Sequence, residues 1–144
     1  MGIRGISHMA IRVKDIDRSL AFYQDVLGFA EMFRLDQEDG SLWLVYLRIN
    51  DTTYLELFPD GVGERAPGKP AVGFNHICLE VTDIEEVIAE MARHDVPLTS
   101  PLQTGLDHNR QAWVEDPDGN RIEFMEIAPH SLQLRAIERL NSTS

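Results

Sequence analysis

A segment of this chain occurs twice. GISHMAIRVKDID, residues 5–17, aligns without gaps on GFNHICLEVTDIE, residues 73–85, at an offset of 68 positions. Under that offset Gly5 meets Gly73, His8 meets His76, Val13 meets Val81, Asp15 meets Asp83, Ile16 meets Ile84 and Leu20 meets Ile88. A repeat of this kind means one supersecondary unit used twice, so whatever the first copy folds into the second must also fold into.

Each copy reads as a strand running into a helix. Apolar residues alternate through Met9, Ile11 and Val13, then take helical spacing at Ile16, Leu20, Tyr23 and Leu27. Asp15 and Asp83 stand where N-caps belong, and Glu86 follows Asp83 by three, as in a capping box. Gly28 and Pro97 are the expected stops. The pattern then returns to short strands: AEMFRLD, SLWLVYLRI and TTYLELF in the first half, LTSPLQ, RQAWVED and RIEFMEI in the second. The fold class expected is therefore α+β, two tandem βαβββ modules forming a curved, barrel-like mixed sheet cleft with helices outside. Module 1 spans residues 3–58 and module 2 residues 73–128. Between them, residues 59–72 open with PDGVGERAPGKP, six Gly or Pro in twelve, which suits neither helix nor ladder. Residues 129–144 form a tail, with a helix over SLQLRAIERL capped by Ser131 and a frayed NSTS end.

At 144 residues, 43% of them hydrophobic, one such domain buries a core without help from disulfides or a structural metal, so a bound metal is expected to be functional. Cys78 is the only cysteine, which excludes an intrachain disulfide. A formal charge of −11 repels phosphate backbones and anionic headgroups, so nucleic acid and membrane partners are not expected. The start MGIRGISH lacks the apolar stretch of a signal peptide, and a cytoplasmic location is the expectation.

Strand alternation places His8 with Ala10 and Arg12, and His76 with Cys78 and Glu80, opposite the apolar face that must pack on the helices. Glu56 lies between Leu55 and Leu57, and Glu123 between Ile122 and Phe124. A carboxylate flanked by apolar neighbours in a strand is costly to bury unless it is paired or bound to a cation. YLELF and RIEFM align at an offset of 67, so a pseudo-twofold axis would carry His8 onto His76 and Glu56 onto Glu123. The expectation is that all four meet around one divalent ion. This nitrogen and oxygen set suits nickel, cobalt, zinc or manganese with two positions open, and lacks the thiolates of structural zinc. Tyr54, Phe58 and Met125 are expected to line the pocket, with Phe74 beside them. Arg12 and Arg121 would steer an anionic substrate group, and Cys78 reads as a small buried side chain. Of His94, His108 and His130, only His108 is placed to reach the mouth of the site.

ISHMAIRVKDIDRSLAFYQDVLGF, TYLELF, GFNHICLEV and WVEDPDGNRIEFME together resemble the vicinal-oxygen-chelate superfamily over residues 3–127. That group includes glyoxalase I, methylmalonyl-CoA epimerase, extradiol dioxygenases, fosfomycin-resistance enzymes and bleomycin-binding proteins. The FYQDVLGF helix end and the DPDG turn are general to it. The quartet His8, Glu56, His76 and Glu123 is similar to the ligand set of bacterial glyoxalase I (lactoylglutathione lyase). The resemblance implies a metal-dependent isomerase or lyase that moves a proton α to a chelated carbonyl, hemithioacetal to thioester, with Glu123 as first-choice base and Glu56 opposite it. It also implies a small-molecule substrate, no organic cofactor and a homodimer, with the metal site either within one chain or shared between subunits. Arg12 matches an arginine that holds the γ-glutamyl end of glutathione. Asp60 stands where the family tends to carry Asn, and its negative charge disfavours a glutathione carboxylate. The lysine of the second-half glutathione loop is not evident in LQTGLDHNR, where Arg110 is the substitute on offer. The alternatives are an acyl-CoA or hydroxycarbonyl epimerase, a non-catalytic protein that sequesters a small molecule, and a ring-cleaving dioxygenase, which would need open iron positions that Glu56 would occupy.

Overall fold

The computed structural model describes residues 1–143, and the chain divides into two compact units, Met1–Ala66 and Pro67–Ser144. In the first unit β1 (His8–Arg12) is followed by helix α1 (Ile16–Leu20), then β2 (Ala30–Asp36), β3 (Leu42–Arg48) and β4 (Tyr54–Phe58). In the second, β5 (Ile77–Glu80) leads to α2 (Ile84–Arg93), then β6 (Ser100–Thr104), β7 (Arg110–Glu115) and β8 (Arg121–Glu126), with α3 (Leu132–Ser142) beyond. The described strands form two four-stranded sheets, ordered β1-β4-β3-β2 and β5-β8-β7-β6, and do not close into a barrel. In each sheet the first strand lies parallel to the last, and the other neighbours are antiparallel. The β-α-β-β-β order is the one the repeat predicts.

Strand burial follows the alternation. Along β1 the exposed His8, Ala10 and Arg12 alternate with the more sheltered Met9 and Ile11, and Val13 beyond is fully buried. The inner faces converge on Val45, Leu47, Leu55 and Leu57 in the first unit and on Ala112, Val114, Ile122 and Phe124 in the second, all at most 2% exposed. Removing a Leu57-sized side chain from such packing costs about 2–5 kcal/mol.

Both helices are capped as expected: Asp15 accepts from the Arg18 amide at 3.1 Å, and Asp83 from the Glu85 and Glu86 amides at 3.1 and 3.0 Å. A second acceptor for α2 comes from outside the helix, Glu126, whose Oε2 takes the Ile84 amide at 2.9 Å. Three features depart from the expectation. After Leu20 the first helix widens into a π-helical segment, Ala21–Val26, with the Leu27 amide reaching back to the Phe22 carbonyl at 3.1 Å. The wider turn lets consecutive Phe22 and Tyr23 both point inward, 7% and 1% exposed, their rings edge to face at 5.1 Å. A regular 3.6-residue period credits only Tyr23 with burial. Gly28 then closes the segment at φ 75°, a conformation open to glycine. The second helix stops at Arg93, before Pro97, because Asp95 turns the chain at φ 56°. The last helix, capped by Ser131, runs through Asn141 and Ser142 rather than fraying there; Ser144 lies outside the described residues. No helix among the described residues is long and apolar enough to cross a membrane.

Candidate metal centre

In each unit the parallel pairing of first and last strand sets a histidine beside a glutamate. In the first, Ala10 lies opposite Glu56 and His8 opposite Tyr54, so the imidazole one pleat away reaches across to the carboxylate. His8 Nε2 stands 3.2 Å from Glu56 Oε2. In the second, Cys78 lies opposite Glu123, and His76, just ahead of β5, places Nε2 3.0 Å from Glu123 Oε2. The carboxylates are nearly enclosed, Glu56 7% and Glu123 5% exposed, whereas the imidazole side chains keep 45% and 31% of their surface open. A nearly buried carboxylate facing an open imidazole nitrogen is a pair of oxygen and nitrogen donors at the surface of a sheet. The described donors come as two such pairs, and no group of three or more His, Cys, Asp or Glu that could hold a metal ion occurs among the described residues. The donor chemistry nevertheless fits a borderline divalent ion, since each buried carboxylate calls for a cation and each imidazole offers a nitrogen.

The supporting side chains differ between the pairs. His76 Nδ1 lies 2.8 Å from Asn75 Oδ1 while Nε2 faces Glu123, an outer contact of the kind found behind metal-ligating histidines. Arg121 Nη2 in turn donates to the Asn75 carbonyl. On β3, Tyr46 sits opposite Glu56, and the influence of that carboxylate, then desolvation, holds the phenol above its ordinary value of 10.0. At the matching place on β7, Trp113 sits opposite Glu123 with its indole edge-on to His76 at 4.6 Å. Cys78 is solvent-accessible rather than buried, because the strand turns its side chain to the open face with His76. Desolvation against the sheet and the adjacent Glu123 carboxylate push it up to about 12. It is thus a neutral thiol, not a thiolate nucleophile.

Arg12, Tyr54 and Phe58 share the His8 and Glu56 face by strand alternation, and Arg121 and Met125 share that of Glu123. Arg12 Nη1 donates to the Pro59 carbonyl at 2.8 Å, with its guanidinium 5.2 Å over the Phe58 ring. Tyr54 donates to the Asp51 carbonyl at 3.3 Å, and Met125 Sδ accepts from Asn109 at 3.5 Å. Phe74 is 92% exposed. His108 sits in the β6–β7 loop at φ 73°, its ring 5.8 Å from that of His130, and His94 pairs with Glu90 at 3.0 Å. Asp60 is exposed at φ 60°, a left-handed conformation that Asn and Asp share. Sequence reasoning missed Tyr46, Trp113 and Asn75. The signal for the first two was present, since Tyr46 and Trp113 fall at the same offset of 67 as the glutamates.

Two βαβββ units, each with a histidine at or just ahead of the first strand set against a glutamate of the last, define a duplicated fold with a matched donor pair in each half. The chain belongs to the Glyoxalase/Bleomycin resistance protein/Dioxygenase superfamily, whose model matches residues 5–124. Among relatives, it is 35% identical over 125 residues to a lactoylglutathione lyase of Neisseria meningitidis, covering 83% of this chain and 88% of that one. It is 30% identical over 127 residues to the uncharacterized protein YaeR of Escherichia coli, covering 88% and 98%. Among solved structures, the trypanothione-dependent glyoxalase I of Leishmania major aligns with a TM-score of 0.75 at 29% identity, over 99% of this chain and 100% of that one.

Proposed function

We propose that the protein is a metal-dependent isomerase of glyoxalase I type, with His8, Glu56, His76 and Glu123 as ligands of one divalent ion. The observation that carries this reading is the duplicated pair, a buried carboxylate within 3.2 Å of an open imidazole in each unit. Relatives named lactoylglutathione lyase support the reaction class. When bound, the ion would supply the positive charge that stabilises two adjacent substrate oxygens as a C–H bond beside a carbonyl is broken.

The rest is proton traffic by this chain. Glu123 takes the proton from the carbon bearing hydroxyl and sulfur and returns it to the neighbouring carbonyl carbon, while the hydroxyl proton moves from one oxygen to the other. The net change is hemithioacetal to thioester with no oxidant or reductant consumed. His76, held by Asn75, keeps its Nε2 beside the working carboxylate. Nearly complete burial keeps water from competing with substrate for that carboxylate.

A second substrate class is favoured by two observations. Asp60 adds a negative charge next to the segment that ends β4, and Arg12 is engaged by the Pro59 carbonyl and the Phe58 ring. Both count against a glutathione carboxylate and favour an uncharged hydroxycarbonyl substrate, epimerised by the same proton chemistry. The test is to load the protein in turn with nickel, cobalt, zinc and manganese and to follow methylglyoxal–glutathione hemithioacetal by the rise of thioester absorbance. Turnover with one metal per chain is expected. Stoichiometric metal without turnover on any hemithioacetal would overturn the lyase reading and direct assays to epimers.

A further inference from the structure

The two histidines stand at equivalent places in the repeat, yet the backbone ahead of each is held differently. In the first unit the ladder itself reaches that far: the Tyr54 amide donates to the Ser7 carbonyl at 2.9 Å, and His8 lies inside β1. In the second unit β5 begins only at Ile77, so His76 stands ahead of the strand. The carbonyl matching that of Ser7 belongs to Asn75, and the residue matching Tyr54 is Arg121. Here it is the Arg121 side chain, through Nη2, that donates to the Asn75 carbonyl. The same guanidinium keeps its Nε buried and without a hydrogen-bond partner, a desolvation cost that a freely solvated arginine would not carry. Asn75 in turn meets the ring. Its Nδ2 donates to the Lys69 carbonyl at 3.3 Å, which turns Oδ1 toward His76 Nδ1 at 2.8 Å. With the ring so placed, Nε2 lies 3.0 Å from Glu123 Oε2.

We propose that Arg121 is a positioning residue: by holding the Asn75 backbone where the β5 ladder has not yet begun, it fixes the His76 imidazole of the second donor pair. One side-chain bond thus replaces the strand bond that aligns His8. Outer contacts of this kind orient a ligating imidazole, and for the metal the proposal rests on the ligand set given above.

The test uses the full chain with Arg121→Met, Arg121→Lys, His76→Ala and the double variant of Arg121→Met with His76→Ala, each checked for folding by circular dichroism. In metal-free protein the imidazole resonances are followed by NMR. Arg121→Met is expected to move those of His76 and to leave those of His8 in place. Cobalt(II) affinity is then measured by chelator competition. Arg121→Met is expected to bind about 10–100-fold more weakly, with Arg121→Lys recovering most of that loss. Removing a positive charge beside the ion would by itself tighten binding, so a weaker one reports geometry. In the His76→Ala background the same change is expected to cost less than about threefold, because its route to the ion is gone. Unmoved His76 resonances, or an equal loss with and without His76, would overturn the proposal. A parent that binds no cobalt would overturn the ligand set alone, and the resonances would still decide the assignment of Arg121. Should Arg121→Met not fold, Arg121→Gln takes its place under the same criteria.

Discussion

At the scale of single residues, the buried polar groups carry the sharpest expectations. Glu123→Gln keeps the size and the neighbours of the side chain but removes the base, so isomerisation is expected to fall by at least about 100-fold with an unchanged circular dichroism spectrum. Full activity in that variant would remove Glu123 from the mechanism. Asn109 is a structural counterpart in the same unit. It is fully buried, donates to Asp107 at 3.0 Å and to Gln133 at 2.9 Å, and accepts from the Ala128 amide at 2.8 Å. Asn109→Ala strands those partners, and a loss of about 2 kcal/mol or more is expected in urea unfolding. Neither its burial nor its partners could be read from the chain, because they come from a loop and a helix brought together only by folding.

At the scale of elements, the terminal helix α3 shows how local and distant signals combine. Ser131 caps it through a 3.3 Å bond to the Leu134 amide, which was legible from the residue type alone. What docks it is the β6–β7 loop: Gln133 donates to Asp107 at 2.7 Å and the Leu132 amide to the Asp107 carbonyl at 3.0 Å. The Gln133 bond, helped by Asn109, holds the Asp107 carboxyl below its ordinary value of 3.8. A depressed folded value means the contribution is fully present above 3.8 and is lost as pH falls through the lower folded value. The parent is therefore expected to lose stability relative to Asp107→Asn as pH drops from 6 to 3. A stability difference between the two that stays constant over that range would count against the assignment. The π-helical segment is the opposite case. Capping and glycine signals placed its ends, but the extra residue per turn arises because Phe22 and Tyr23 both gain by packing inward.

At the scale of the whole molecule, the −11 charge and the duplicated donors meet in one expectation about metal. An ion held by the folded chain and not by the unfolded one shifts the unfolding equilibrium, by about 2.7 kcal/mol when free metal is 100 times the dissociation constant. Addition of nickel or cobalt is thus expected to raise the thermal midpoint, and EDTA to return it. A midpoint indifferent to all four candidate metals would count against the ligand set.

The repeat by itself determined the module order, the strand faces and the equivalence of His8 with His76 and of Glu56 with Glu123, because period-two alternation and an offset of 67 or 68 leave few other arrangements. Only the tertiary structure decided what stands behind those pairs. Tyr46 and Trp113 gain their roles from cross-strand register, a contact between residues ten positions apart in each half that no local pattern encodes. Cys78 faces solvent beside Glu123 for the same reason: a strand dictates alternate directions, but which face remains open depends on what packs against the other.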